Sequence, residues 1–335
     1  MVKSVDSIHV SIVVPVYNNP RDLRECLLGL LESSCASSEI IVVDDGSTDE
    51  TASVAKEMGV RVLRLEKNSG PSAARNYGAR HARGDILFFV DADVVVMRGA
   101  VSRVVKIFNE RPEIGAVFGS YDLEPRVKTV ISQYRNLLHH FVHQKGNPNA
   151  STFWAGCGAV RRAAFEKIGG FDDNWLAIED IELGYRLRQA HHRILLDKEL
   201  HGTHLKKWTL RSMIRTDIFS RAIPWAHLIM QSRFAPNDLN LQWGQRLSGI
   251  MVLLILPLLG LGVFGVEWLL VPALLCIVAV VLNRDLYIFF WRQRGFCFAV
   301  MCIPLHLLYY LYSGLSFICV WFNCRFRRLI AIGHS

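Results

Sequence analysis

Two carboxylates stand one residue apart at the end of a buried apolar run. Asp91 and Asp93 follow five consecutive apolar residues at 86–90, a pattern typical of a central strand that is covered on both faces. Ligands bind at the carboxyl ends of strands in open α/β sheets. Two carboxylates at such an edge can hold a divalent cation whose other ligands are waters and phosphate oxygens. A solvated turn also explains an isolated Asp-x-Asp, so the surrounding sequence has to decide.

The elements that must position this pair alternate along the chain. Apolar and β-branched runs predict strands over 9–16, 39–43, 60–65, 86–90, 114–120 and 194–196. Helices are predicted between several of them, including 20–31 and 100–108. Strands that alternate with helices predict a doubly wound, mostly parallel α/β sheet, with the polar turns collected along one edge.

The turns after the second and third predicted strands carry further polar candidates. Ser47 and Glu50 have capping-box spacing for the next helix, which explains these two residues without any ligand. The acidic pair at 44–45 is left unexplained by capping. After the third strand, residues 70–71 open a helix of small residues whose free amide groups could face a phosphate, with Arg75 one turn inside.

Four short motifs, taken together, resemble the family 2 glycosyltransferases with the GT-A fold. They are Val-Pro-Val-Tyr-Asn at 14–18, Asp-Asp-Gly-Ser-Thr-Asp at 44–49, Gly-Pro-Ser-Ala-Ala-Arg-Asn at 70–76 and Asp-Ala-Asp at 91–93. Each motif alone is a weak signal, but four in order at appropriate spacing make a specific one. The resemblance covers roughly residues 8–210.

The resemblance implies a role for a set of residues in these motifs. The residues that would line the nucleotide site are Pro15, Tyr17, Asp45 and Arg75. Asp45 would lie near the base or the ribose. Asp91 and Asp93 would bind the diphosphate of the donor through Mg²⁺ or Mn²⁺.

A second part of the family pattern lies further along the chain. Gly-Gly-Phe-Asp at 169–172 is followed by Glu-Asp-Ile-Glu-Leu-Gly-Tyr-Arg-Leu at 179–187. The helix dipole accounts for some of the carboxylates at this helix start. The resemblance implies that Asp180 is the general base of an inverting transfer, with Glu179 beside it in the substrate site. A base within reach of the acceptor hydroxyl contributes roughly 10² to 10⁴ in rate.

His204 and Trp208 lie four residues apart where processive members of the family carry Gln-x-x-Arg-Trp, a motif that is absent here. The arrangement is similar to members that add one sugar, in which a His can complete the metal shell and a basic residue faces the diphosphate. His204 is therefore a candidate metal ligand or phosphate contact, and a surface histidine is the alternative. Trp208 is a candidate substrate contact.

Other potential metal ligands are scattered. The eight cysteines form no CxxC pair, so neither a disulfide framework nor a zinc site is indicated. His139, His140 and His143 lie on a predicted helix over 134–143, with two of them near one face. A solvated or interfacial helix explains them better than a metal site.

A change in composition divides the chain of 335 residues. Residues 1–247 resemble an ordinary globular protein, whereas 248–322 contain few charged residues, namely Glu267, Arg284, Asp285, Arg292 and Arg294. Much of the net charge of +8 lies in 201–246, where seven Lys or Arg residues face two Asp residues among tryptophans and other apolar residues. Such a segment is typical of a helix on an anionic membrane surface. The adjoining apolar segment argues against nucleic acid as the partner.

These patterns predict a multi-pass membrane protein with a cytoplasmic catalytic domain, because the N-terminus lacks the apolar core of a signal peptide. The predicted regions are a GT-A domain at 1–204, a basic amphipathic interfacial segment at 205–247, transmembrane helices at 248–322 and a basic tail at 323–335.

Three apolar runs, at 248–266, 268–282 and 296–322, predict three spans. Three spans place the basic loop 283–295 in the cytoplasm, as the positive-inside rule prefers, but leave the basic tail outside. A re-entrant hairpin near Glu267, or fewer crossings among the first two runs, remains the alternative.

The combined prediction is a metal-dependent inverting glycosyltransferase that moves one sugar from a UDP- or GDP-linked donor to a membrane-associated lipid acceptor. A polyprenyl-phosphate sugar synthase of the same fold is the nearest alternative. A nucleotide-sugar-binding membrane scaffold without turnover belongs to a different class, and the intact Asp91, Asp93 and Asp180 argue against it. The sequence names neither the sugar nor the nucleotide.

Overall fold

The structure is a computed structural model that describes residues 8–35, 37–175, 177–232 and 234–332, with side chains as far as 326. The chain divides into two compact units. The first unit contains the described residues up to Lys128 together with His143–Lys207, and the second contains Thr129–Val142 and the described residues from Trp208 onward. The last three residues of the predicted basic tail, and the side chains after 326, lie outside the described residues.

The first unit is built on a sheet of eight strands among the described residues, in the order β3-β2-β1-β4-β7-β6-β8-β5. The strands are β1 (Val10–Val16), β2 (Ser38–Asp44), β3 (Arg61–Arg64), β4 (Ile86–Val90), β5 (Val94–Val96), β6 (Ile114–Tyr121), β7 (Cys157–Arg161) and β8 (Arg193–His204). The β1–β2, β1–β4, β2–β3 and β6–β8 pairs are parallel. The β4–β7, β5–β8 and β6–β7 pairs are antiparallel. This confirms the predicted doubly wound, mostly parallel α/β sheet.

The centre of the sheet is strongly apolar. All five residues of β4 are buried, because neighbouring strands and covering helices exclude water from both faces. Helices of the first unit, and one that it shares with the second, are α1 (Pro20–Ser33), α2 (Thr51–Glu57), α3 (Pro71–His81), α4 (Ala100–Glu110), α5 (Val130–Lys145), α6 (Arg162–Lys167) and α7 (Glu179–Gln189). Helix α1 contributes Leu23, Leu27 and Leu30 to the core. The predicted strand at 194–196 is part of the longer β8.

The capping box predicted from Ser47 and Glu50 is wrong. Helix α2 begins at Thr51, and its N-cap residue Glu50 makes no side-chain capping hydrogen bond. The Ser47 hydroxyl instead accepts the Asn18 amide at 2.9 Å, while the Asp49 carboxylate accepts the Thr51 amide at 3.0 Å. Ser47 is therefore used to tie the turn after β2 to the turn after β1.

The second unit is helical in its described part. Its remaining helices are α8 (Leu210–Asp217), α9 (Ile223–Ser232), α10 (Trp243–Leu259), α11 (Leu270–Leu282), α12 (Arg284–Arg294) and α13 (Phe296–Ile332). A π-helical turn at Ile218–Ala222 joins α8 to α9. The part of α5 in this unit is packed rather than solvated, since Tyr134 and Leu137 are buried and the His140 ring stacks on Phe289 at 5.9 Å.

Two helical stretches in the described residues are long and apolar enough to cross a membrane, namely Trp243–Val263 and Phe296–Phe326. Val266–Leu282 and Arg284–Arg294 form a third candidate, which is bent by 64° at its break. The count is therefore two, or three if the bent pair is one broken span. Large apolar side chains such as Val263 and Phe264 are exposed here, and apolar surface on this scale requires a lipid or protein partner.

Candidate active site

The carboxyl end of β4 presents both predicted aspartates. The Asp91 amide donates to the Gly156 carbonyl at 3.2 Å, and the Asp93 carbonyl accepts the Leu205 amide at 2.9 Å. Residues that lead into β7 and follow β8 therefore fix the backbone of the pair. The Asp91 and Asp93 side chains remain 32% and 24% exposed, so both carboxylates stay open to a ligand.

His204 lies beside Asp93, as its candidacy as a ligand requires. The pairing of β5 with β8 places Val94 opposite His204, and His204 Nε2 lies 3.6 Å from Asp93 Oδ2. The imidazole is buried and stacks on Tyr121 at 4.3 Å, so it is not the surface histidine of the alternative interpretation. Burial of Asp93 opposes its ionisation, but the neighbouring His204 ring and Lys206 outweigh it and lower the pKa of Asp93.

Arg75 joins two other predicted site residues. Its Nη2 donates to Asp91 Oδ1 at 2.7 Å, and its Nη1 donates to Glu179 Oε1 at 2.6 Å. The guanidinium is buried and lies over the Phe171 ring, 5.4 Å from the ring centroid. Arg75 thus connects the end of β4 with the start of α7 instead of standing free at the helix start.

Asp180 occupies the first turn of α7, next to Glu179. Its Oδ2 accepts the Ala155 amide at 3.2 Å, and its Oδ1 accepts the Ile181 amide at 2.8 Å. Burial, together with the negative charge of Glu179, raises the pKa of Asp180 to about 7, against the opposing effect of Arg75. A carboxylate with this pKa can accept a proton near neutral pH.

Asp45 holds the turn before α3. Its two carboxylate oxygens accept the Ser69 amide at 2.8 Å and the Gly70 amide at 2.9 Å. Burial raises the pKa of Asp45 in spite of these two bonds. Tyr17 is 46% exposed, and Pro15 is half-buried at the end of β1. Hydrogen bonds thus tie the turn that carries Asp45 to the turn before α3 and to the turn after β1.

Trp208 belongs to the second unit, unlike the other predicted site residues. Its amide donates to the Ser132 hydroxyl at 2.9 Å, and that hydroxyl donates to the Trp208 carbonyl at 3.5 Å. The indole is buried, and the guanidinium of Arg135 lies 5.9 Å from its ring centroid.

Two residues that shape the site had no role in the sequence-based prediction. Asp44 is buried, accepts the Ser47 amide at 2.9 Å and pairs with Arg64 at 3.2 Å, so it holds the turn that carries Asp45. Asn76 joins α3 to the segment before α7 through two hydrogen bonds with the Phe171 backbone, at 2.8 and 2.9 Å. The position of Asn76 within the motif at 70–76 was the available signal.

The donor set at the end of β4 fits a hard divalent cation that shares its shell with a ligand. Open carboxylate oxygens suit Mg²⁺ or Mn²⁺, and an imidazole suits Mn²⁺ better than Mg²⁺. In the part of the chain that the structure describes, no group of three or more His, Cys, Asp or Glu side chains is gathered closely enough to hold a metal. Asp91, Asp93 and His204 therefore do not form such a group, and a cation bound there would need water or phosphate oxygens for most of its ligands.

Comparisons with known proteins connect the first unit with glycosyltransferases. Residues 11–169 match the family model described as glycosyl transferase family 2. An uncharacterized glycosyltransferase of Haemophilus influenzae is 28% identical over 220 residues, which cover 62% of this chain and 71% of that protein. The pre-mycofactocin glycosyltransferase of Mycobacterium tuberculosis is 30% identical over 224 residues, covering 60% of this chain and 45% of that protein. The chain thus spans less than half the length of this second relative.

Solved structures share the fold. A mannosyltransferase from Pyrobaculum calidifontis, in complex with GDP-Man and Mn²⁺, superposes with a TM-score of 0.60 at 18% identity, covering 94% of this chain and 88% of that chain. Staphylococcus aureus TarS 1–349 in complex with UDP gives a TM-score of 0.50 at 19% identity, with 67% and 66% covered. Residues 11–169 therefore match the family 2 glycosyltransferases, and the sheet that they help to build has the GT-A fold.

Proposed function

We propose that this chain transfers one sugar, with inversion, from a nucleoside diphosphate sugar to a lipid-associated acceptor at the membrane. One observation carries the proposal. Asp180, a carboxylate whose pKa is raised to about 7, follows Glu179, and Glu179 is linked through Arg75 to Asp91 of the Asp-x-Asp pair. A candidate base and a candidate diphosphate site are thereby held on one connected set of side chains.

In this mechanism Asp180 acts as the general base. The acceptor hydroxyl oxygen forms a bond to the anomeric carbon while its proton passes to the Asp180 carboxylate. The bond between that carbon and the diphosphate oxygen breaks, and the leaving nucleoside diphosphate takes the electron pair. A single displacement of this kind inverts the anomeric centre, and such proton transfer contributes roughly 10² to 10⁴ in rate.

Asp91, Asp93 and His204 are the residues that would hold the divalent cation. When bound, a divalent cation supplies electrostatic stabilisation of the charge that develops on the leaving diphosphate. The structurally similar mannosyltransferase was solved in complex with GDP-Man and Mn²⁺. This supports a nucleotide-linked donor, and Mn²⁺ or Mg²⁺, for the present chain. The His204 ring is stacked on Tyr121, which holds the imidazole beside Asp93.

The nucleotide would lie on the turns that follow β1 and β2. Tyr17 offers an exposed aromatic face for a base, and Pro15 lies two residues before it. Asp45 acts there by holding the Ser69 and Gly70 amides, so its contribution includes the shape of the turn before α3.

The lipid acceptor and the membrane location are supported by the second unit. Its long apolar stretches are suited to span a bilayer, and the predicted interfacial segment carries the basic residues Lys206, Lys207, Arg211 and Arg215. Basic residues beside a span favour the cytoplasmic leaflet. We therefore place the catalytic domain in the cytoplasm, on a multi-pass protein.

Substitution of Asp180 by Asn tests the proposal. Asn cannot accept the proton, so transfer should fall by at least about two orders of magnitude, whereas donor binding should be retained. The matched control is Asp22→Asn, the same change in the first turn of α1, which should transfer at the parental rate. Equal transfer by Asp180→Asn and the parent would remove Asp180 as the base.

A further inference from the structure

A single buried guanidinium spans two carboxylates that are far apart in the chain. Arg75 lies on α3, Asp91 follows β4 and Glu179 begins α7, so the contacts join residues 16 and 104 positions apart. The side chains of Arg75 and Glu179 are 5% and 10% exposed. A guanidinium is suited to this role because its planar fork can meet two partners in fixed directions.

Arg75 has little freedom to leave this position. Its guanidinium lies over the Phe171 ring, and the Phe171 backbone is fixed by Asn76, the next residue of α3. Arg75 Nε is buried and has no hydrogen-bond partner among the described residues. The buried guanidinium is therefore held by its two carboxylate bonds and by the Phe171 ring.

The start of α7 is strained and needs an external restraint. Ile178 precedes Glu179 with a φ of 59°, in the left-handed region. A β-branched residue in this region is an outlier whose backbone is strained. Such a conformation persists only where surrounding contacts hold it. The hydrogen bond from Arg75 holds Glu179, the residue directly after Ile178.

We propose that Arg75 is a positioning residue that fixes the first turn of α7, and with it Asp180, relative to the Asp91–Asp93 pair. This inference rests on the proposed function, because it assigns Arg75 to the alignment of the base with the diphosphate site. It differs from the role that the family resemblance implied for Arg75, which was direct contact with the nucleotide. The two roles predict different kinetic consequences.

Arg75→Lys and Glu179→Gln separate the two roles. Lysine keeps the positive charge but cannot bridge both carboxylates as the fork does, so kcat should fall at least about tenfold. The affinity for free UDP or GDP in EDTA should change less than about threefold, because the bridge is not a nucleotide contact. Glu179→Gln should lower kcat as well, since it removes the partner at the α7 end.

The pH profile provides a readout that a purely structural role would not move. The groups that face Asp180 electrostatically are Glu179 and Arg75. Loss of the Glu179 charge should shift the acidic limb of the kcat profile to lower pH by about one unit. The matched control is Glu182→Gln, which breaks the 2.6 Å pair with Arg186 on the same helix and should leave the limb in place.

The double variant Arg75→Lys/Glu179→Gln completes the test. If both residues act through one bridge, the double variant should be no slower than Arg75→Lys alone, since coupled residues are not additive. A tenfold or larger loss of nucleotide affinity in Arg75→Lys with kcat retained would overturn the inference, as would additive losses in the double variant. Parental kcat in Arg75→Lys, alongside inactive Asp180→Asn, would overturn this inference alone, whereas active Asp180→Asn would overturn the proposed function with it.

Discussion

Each unit of the chain contains a buried arginine paired with carboxylates, but the two pairs are closed in different ways. In the helical unit, Arg135 Nη2 lies 2.7 Å from Asp217 Oδ1, and the Tyr312 hydroxyl donates to Asp217 Oδ2 at 2.6 Å. Both members of this pair are buried. In the sheet unit, Arg75 meets two carboxylates, one of which, Asp91, is about one-third exposed.

The difference separates a structural ion pair from a candidate catalytic one. Asp217 is enclosed by partners from α5, α13 and the π-helical turn, where Arg221 lies 3.7 Å away. Its charge therefore stabilises the packing of these helices. The Asp91 side chain is partly exposed. Glu179, the second partner of Arg75, is followed by Asp180, whose pKa is raised. Exposure of a charged partner, rather than burial of the arginine, marks the site that can act on a ligand.

The largest expected effect comes from breaking the enclosed pair. Asp217→Asn leaves Arg135 buried without its counter-charge, which should reduce the free energy of unfolding by about 3–5 kcal/mol. Denaturant unfolding in detergent measures this loss. The transfer rate per folded molecule should change less than threefold, and a stable but inactive variant would contradict the structural assignment of this pair.

Removal of the Asp93 carboxylate should reduce transfer strongly and stability only weakly. Asp93→Ala should weaken donor binding and abolish the dependence on Mn²⁺ together, and transfer should fall by at least about two orders of magnitude. The change in unfolding free energy should be smaller than for Asp217→Asn. The control is Asp285→Ala, which removes an exposed carboxylate of the helical unit. Metal-independent transfer by the parent protein would contradict the assignment of a cation to this site.

The pH dependence of kcat should follow the ionisation of Asp180 in the sheet unit. Only ionised Asp180 can accept a proton, and its pKa is raised to about 7, so the ionised fraction falls as the pH drops through 7. At saturating donor, kcat should be about one tenth of its plateau at pH 6 and should level above pH 8. The Asp217→Asn variant should keep this profile, whereas a flat profile from pH 5 to 8 would exclude Asp180 as the titrating base.

The smallest effect is expected at an exposed pair of the sheet unit. Arg24 and Glu57 lie 2.9 Å apart with both side chains about half-exposed. Glu57→Gln should change the free energy of unfolding by less than about 1 kcal/mol, because solvent screens such pairs. A loss comparable with that of Asp217→Asn would mean that burial does not explain the difference between the two arginine pairs.

The sequence was sufficient where structure follows local patterns. The strand at 86–90 was predicted with its observed bounds, because five apolar residues between polar turns suit a buried strand. The aspartates that follow it lie at the predicted sheet edge. Motif spacing also located the family and the helix that carries Asp180, whose role remains a proposal.

The sequence was insufficient where distant residues decide the structure. The capping box failed because Ser47 bonds Asn18, 29 positions away, a contact that no local rule contains. The partners of Arg75 are similarly distant, so its bridging position could not be foreseen. The number of spans could not be predicted because the apolar run at 268–282 continues, after a bend, into the charged helix α12.

The most direct test of the account is a transfer assay with the detergent-purified full chain, UDP- and GDP-linked sugars and a total membrane lipid extract, with and without Mn²⁺. We expect one donor to be consumed only when the cation is present, and its sugar to appear on a lipid with inverted anomeric configuration. Mass spectrometry of that lipid would separate a polyprenyl phosphate from a glycerolipid or sphingolipid. Donor binding without consumption under every condition would contradict the account and favour a nucleotide-sugar-binding scaffold.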